Sequence, residues 1–188
     1  PKYPPKPVGV SIYHPGNKPK YLAWGHPTQN NVTREQAQRE LQGIWRSGKA
    51  LLFQNAAFDL EVAFRHFGLA IPPWHLIHDT LYLLFLHNPH ARTLSLKPAA
   101  EALLGMPPEE ADAVRAWLVK AGIVKSSDKR WGAHICKAPG KLVGEYAIGD
   151  TVRTRRLYDY LMPKLSGMQE AYDRERRRGQ LRGYGQPL

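Results

Sequence analysis

The sequence predicts one α/β domain with a helical C-terminal half, and three features carry that reading. Two β-like segments within residues 7–26, PVGVSIYH and YLAWGH, are joined by a stretch rich in Pro and Gly. A short apolar run, ALLFQ at 50–54, sits between two helical patterns. From residue 143 onward the apolar spacing is that of a long helix, and 188 residues suit a single sizeable core.

Each element has a local reason. The linker HPGNKPK between the first two segments makes a hairpin the natural assignment. Thr33 and Gln36 have the form of a capping box, followed by Ala37, Leu41, Ile44 and Trp45 at helical spacing. ALLFQ reads as a strand buried on both faces. After NAA a second helix is expected from about Phe58 to Phe67, with Gly68 as its left-handed cap. Pro72 and Pro73 interrupt the chain, and Asp79 is placed to cap a third helix, TLYLLFLH, whose nearly uniform apolarity predicts burial. Two further helices follow over 97–104 and 109–121, the second opening on PPEEAD, where proline and acidic residues suit a helix start. Residues 122–141 read as an irregular loop, 143–161 as a long helix, and 166–188 as a basic helix or tail beyond a main unit spanning 1–165.

Charge narrows the partners. Lys and Arg number 27 against 16 Asp and Glu, a net charge of +11 that favours an anionic partner such as nucleic acid. No apolar run approaches the roughly 20 residues that span a bilayer, and the start PKYPPKP lacks the apolar centre of a signal peptide. A single cysteine, Cys136, forms no internal disulfide, which is compatible with a reducing cytoplasm. A membrane partner is not expected.

Two places could carry chemistry. Asp59 lies where the apolar strand hands over to a helix, and the carboxyl ends of strands in open α/β sheets are where ligands collect. Tyr146 and Asp150 are four apart in EYAIGD, so a phenol and a carboxylate project from one helix face. Hard divalent cations take oxygen ligands, and phosphodiester cleavage commonly uses two such ions held by several carboxylates. Asp59 and Asp150 converging from distant parts of the chain would make part of such a site. Each has a plainer alternative: a cap or helix-dipole partner for Asp59, and chance spacing for the Tyr–Asp pair.

In order along the chain, NAAFD at 55–59 and YAIGD at 146–150 resemble the second and third motifs, N-x-x-F/Y-D and Y-x-x-x-D, of the DEDDy 3′-5′ exonucleases. Between them, HDTLYLLFLHNPHARTLSLKPAAEALLG is similar to the family's Asp-Thr helix and the following helix that ends in Leu-Gly. The resemblance is closest to the proofreading exonuclease domain of bacterial and phage family A DNA polymerases, where APGKLVGEYAIGDTVRTRRLYDYLMPKL would also be at home, and it covers about residues 7–175. It implies a ribonuclease H-like fold, a mixed sheet flanked by helices. It also implies hydrolysis of the terminal phosphodiester of a single-stranded DNA 3′ end with Mg²⁺ or Mn²⁺, with a polymerase domain as companion, in a bacterial or phage-infected cell. By the same resemblance Asp59 and Asp150 are metal ligands and Tyr146 orients the attacking water. Asn55 and Phe58 shape the site near the terminal nucleotide, and Arg92 either binds a phosphate or is a solvated surface arginine.

The family's first motif, D-x-E on the first strand, has no counterpart here, since the first acidic residue of the chain is Glu35. That strand would lie between the hairpin and the ALLFQ strand, so the expectation is that it precedes Pro1 in the parent protein and that the middle of the sheet is missing from this chain. Without those two carboxylates, affinity for the second ion should fall and hydrolysis should be very slow. A competing reading is a catalytically silent binding or scaffold module, with the net charge, the run RERRR at 174–178 and interspersed aromatics holding phosphates and bases. A zinc site built from His75, His78, His87, His90, His134 and Cys136 is a weaker alternative, because neither histidine pair has a known zinc spacing.

Overall fold

A computed structural model of the chain describes residues 3–107 and 109–177. Gly9–Ile12 (β1) and Lys20–Ala23 (β2) form the expected antiparallel hairpin. Tyr21 crosses directly over Gly9, where a Cβ would collide with the phenol ring, so glycine is required at that point.

Helix α1 (Arg34–Arg46) starts on the predicted capping box. Thr33 Oγ1 accepts from the Gln36 amide at 3.2 Å, and Gln36 Oε1 accepts from the Thr33 amide at 2.7 Å. Strand β3 (Leu51–Phe53) leads into α2 (Ala56–Phe67), which ends on Gly68 in the left-handed conformation, as expected. Ile12, Leu22, Ala37, Leu41, Ala63, Phe67 and Leu69 close a core between the hairpin, α1 and α2. Burying each Leu or Phe side chain there contributes about 1.5–3 kcal/mol.

The chain then makes a short 3-10 turn at Trp74–Leu76 and strand β4 (Ile77–Asp79), parallel to β3 with Phe53 opposite Asp79. Helices α3 (Thr80–His87), α4 (Leu96–Leu104) and α5 (Glu109–Lys120) follow, then a 3-10 segment at Trp131–Lys137 and α6 (Gly140–Arg177). Helix α6 is the spine. It packs against β1, β2, β3, α3, α4 and α5, and buries Leu157 and Leu161 completely against Leu84, Ala99 and Ala100.

The architecture is the mixed α/β one expected for a ribonuclease H-like exonuclease domain. Among the described residues the strands form two separate pairs, β1–β2 and β3–β4, with α6 touching strands of both.

Four expectations need correction. Strand β4 was not foreseen: three residues straight after a Pro-Pro break carry no readable alternation, and their pairing with β3 is non-local. Helix α3 is not buried all round. Only Thr80 and Leu84 are enclosed, whereas Tyr82, Phe85 and Leu86 are about half exposed or more, because α4 and α6 cover one side of this eight-residue helix alone. The region 122–141 is not wholly irregular, since Trp131–Lys137 forms 3-10 turns. Helix α6 does not stop at Leu161 but continues through Pro163, two residues beyond the fully buried Leu161. The backbone of 174–177 in RERRR is helical, while residue 178 and the Gly-Arg tail to 188 lie outside the described residues.

Candidate active site

Two acidic corners result, one at the start of α2 and one on α6. The first begins with backbone geometry. Asn55, the N-cap of α2, has φ +66° and ψ +58°, a left-handed conformation that asparagine tolerates and branched side chains do not. The motif position that begins NAAFD therefore has a conformational reason to be Asn. Asp79 holds this turn. Its Oδ1 accepts from the Asn55 amide at 2.9 Å and its Oδ2 from the Ala56 amide at 2.8 Å, while Oδ1 also accepts from the Leu81 amide at 2.9 Å as the predicted cap of α3. One buried carboxylate thus satisfies orphan amides at the starts of two helices. Beside it Thr80 donates to Gln54 Oε1 at 2.6 Å, and Gln54 Nε2 donates to the Leu94 carbonyl at 3.0 Å.

Asp59 projects from the first turn of α2. Its surface is open to solvent, yet the protein crowded around it, and secondarily the negative charge of Asp79, push its carboxyl up to about 6. Phe58, 38% exposed, meets the Tyr3 ring edge-on at 6.5 Å between centroids. Arg92 is exposed, with no ion pair to it among the described residues.

The second corner is built on α6, whose start is fixed by a buried hydrogen-bond chain. His26 Nδ1 donates to the Ala138 carbonyl at 2.9 Å and its Nε2 accepts from the Tyr21 hydroxyl at 2.8 Å. Gly140 nests under the Gln29 carbonyl, where a Cβ would clash, and Gly144 lets the helix approach the Tyr21 ring. Tyr146 then packs among Tyr21, Trp131 and Val143, with its ring 6.3 Å from that of Trp131.

Tyr146 and Asp150 share one helix face, as their spacing predicts, and act on each other electrostatically. Lys97, from the first turn of α4, places its Nζ 3.5 Å from Asp150 Oδ1 and 3.9 Å from the Tyr146 ring centroid. Arg153 Nη1 lies 3.7 Å from the same oxygen, while its Nη2 donates to the Pro107 carbonyl at 2.5 Å. Burial raises the Asp150 carboxyl above its ordinary range despite the opposing pull of Lys97, Arg153 and the Tyr146 hydroxyl. Burial and the neighbouring carboxylate also raise the Tyr146 phenol, so it is a neutral hydroxyl at any ordinary pH.

The structure therefore groups Asn55 and Asp59 with Asp79, and Tyr146 and Asp150 with Lys97 and Arg153. Helix α6 touches β3, the strand that leads into Asp59. Among the described residues no group of three or more His, Cys, Asp and Glu side chains forms a metal cluster. His78 and His87 instead meet the rings of Tyr158 and Tyr160, at 5.3 and 6.3 Å. In kind, carboxylate oxygens are the donors a hard divalent cation takes, but Asp150 already faces Lys97 and Arg153.

Sequence reasoning gave Asp79 only its cap and overlooked Lys97 and Arg153. Lys97 did leave a signal. A lysine in the first turn of a helix opposes the positive end of the helix dipole and calls for an anionic neighbour elsewhere. Arg153 is one of three arginines in VRTRR and nothing local distinguishes it.

Comparison with known families places these corners in context. The chain matches the family model of the 3′-5′ exonuclease domain of the DNA polymerase A type over residues 18–166, a span that contains both corners. The comparison with curated proteins returns no match. The chain belongs to the 3′-5′ exonuclease family.

Proposed function

We propose that this member of the 3′-5′ exonuclease family removes nucleotides from the 3′ end of single-stranded DNA in a reaction dependent on Mg²⁺ or Mn²⁺. The observation that carries the reading is the family match across residues 18–166, with NAAFD and YAIGD each forming an acidic corner within it. Asp59 and Asp150 are the proposed cation ligands, and the bound ions would supply the charge stabilisation that phosphodiester hydrolysis requires. Tyr146, a neutral phenol on the same face as Asp150, is suited to hold a water by hydrogen bonding without competing for the cation. Exposed Phe58 offers a ring face to a terminal base, and Asn55 fixes the turn from which Phe58 and Asp59 project. Arg92, exposed in the segment after α3, is the proposed phosphate contact. The +11 charge draws the substrate in, and a polymerase domain is the proposed companion.

The test is release of nucleotides from 5′-labelled single strands with Mg²⁺ or Mn²⁺. Asp59→Ala and Asp150→Ala should each lower the rate about a hundredfold or more, the scale of losing one group that stabilises the transition state. A rate untouched by both changes rejects the site. A silent nucleic-acid-binding module is the second reading, favoured by the two cations already against Asp150. Salt-sensitive binding of single strands without product would select it.

A further inference from the structure

We propose that the basic lobe over residues 120–141 is a phosphate-binding surface that holds the backbone of a nucleic-acid strand beside the Tyr146–Asp150 corner. The inference rests on the reading of the substrate as a single strand of nucleic acid, and it assigns to one place an attraction otherwise credited to the whole chain. Residues 120–141 hold six Lys and Arg against one acidic residue, close to half of the +11 surplus in about an eighth of the chain. Lys120, Lys125, Lys129, Arg130, Lys137 and Lys141 are all exposed, and among the described residues no ion pair reaches any of them. Exposed cations elsewhere have carboxylate partners, as Lys20 has Glu40 and Arg65 has Glu61. The single carboxylate of the lobe, Asp128, is turned on its own loop, where Oδ1 accepts from the Arg130 amide at 2.7 Å.

This charge stands on a packed body. The end of α5, the loop after it, the 3-10 segment and the start of α6 share a core of Val114, Leu118, Val124, Ala138 and Val143. Arg115 Nη2 donates to the Ser126 carbonyl at 2.6 Å and ties the loop back to α5. Tyr146 packs against the same core, so the lobe and the corner on α6 belong to one unit. Like charges fixed on one body repel each other, and a polyanion that carries a charge at every nucleotide relieves that repulsion. Their spread over α5, the loop, the 3-10 segment and α6 suits a chain of phosphates better than a single small anion.

The experiment follows binding of a fluorescently labelled single strand of about 20 nucleotides by anisotropy, from about 0.05 to 0.2 M salt. Combining Lys129→Gln, Arg130→Gln and Lys137→Gln should weaken binding about tenfold or more near 0.1 M salt, and should lower the slope of log affinity against log salt by about 2. Combining Arg39→Gln, Arg46→Gln and Lys49→Gln removes the same charge from exposed positions on and just after α1, and should weaken binding less than about threefold. Equal losses in the two triple variants overturn the proposal and leave the strand-binding reading standing. Absence of binding by the wild type at the lowest salt overturns both together. A second measurement needs no variant: reductive methylation of the wild-type protein, read residue by residue by mass spectrometry. The strand should slow modification of Lys129, Lys137 and Lys141 severalfold and leave Lys49 nearly unchanged; equal protection of all four overturns the proposal.

Discussion

The two acidic corners solve opposite electrostatic problems. At the start of α2, Asp59 and Asp79 are like charges: Asp79 spends its oxygens on three backbone amides, and the Asp59 carboxyl is raised to about 6 by burial and by that neighbour. On α6, Asp150 stands between Lys97 and Arg153. One corner is short of positive charge and the other already has it. The same residue type is thus prepared differently by its neighbours, and a ligand that brings cations meets an open carboxylate at one corner and an engaged one at the other.

The comparison can be broken most forcefully at Asp79. Asp79→Ala strips acceptors from three amides in a buried setting and should lower stability by about 3 kcal/mol or more, seen as a shift in the urea midpoint. Asp79→Asn, which keeps a single acceptor oxygen, should lose less. Smaller effects are expected from Asn55, whose backbone lies in the left-handed region. Asn55→Val should cost about 1–3 kcal/mol, whereas Asn55→Gly should be close to neutral in the same denaturation assay. Equal losses for the two would show that the side chain of Asn55, and not its backbone, organises the corner.

Acid should loosen the other corner selectively. His26 is buried and its pKa is lowered, chiefly by desolvation, so the unfolded chain binds a proton more readily than the folded one. Its contribution is therefore present above the unfolded value of 6.5 and is lost as pH falls through that value toward the lower folded one. Protection factors of the amides over residues 138–146, corrected for the intrinsic pH dependence of exchange, should fall below pH 6.5, and His26→Gln should flatten that dependence. The smallest effect concerns Asp59. Its raised carboxyl disfavours the folded state while ionised, so Asp59→Asn should raise Tm by about 1–3 °C above pH 6, discounted for its solvent access. The gain should fade as pH falls from 6 toward 4, where wild-type Asp59 becomes protonated anyway.

Legibility in the sequence followed the range of the interactions. The capping box at Thr33 and Gln36, the left-handed Gly68 and the hairpin turn are set by residues within a few positions of one another, and each was readable. The Tyr146–Asp150 face was readable for the same reason. Strand β4 was not, because it depends on pairing with a strand more than twenty residues earlier. The exposure of Tyr82, Phe85 and Leu86 also escaped, since apolarity all round a helix predicts burial only where enough partners pack against it. Of Asp79, the cap on Leu81 was local and visible, while the bonds to Asn55 and Ala56 belong to the folded chain alone. Lys97 falls between these cases: its awkward place on α4 was visible, its destination on α6 was not.

Because one side chain clasps the first turns of α2 and α3 together, those turns form a single mechanical unit. A shift of the NAAFD turn toward an arriving strand end would carry the uncovered Tyr82–Phe85 flank with it.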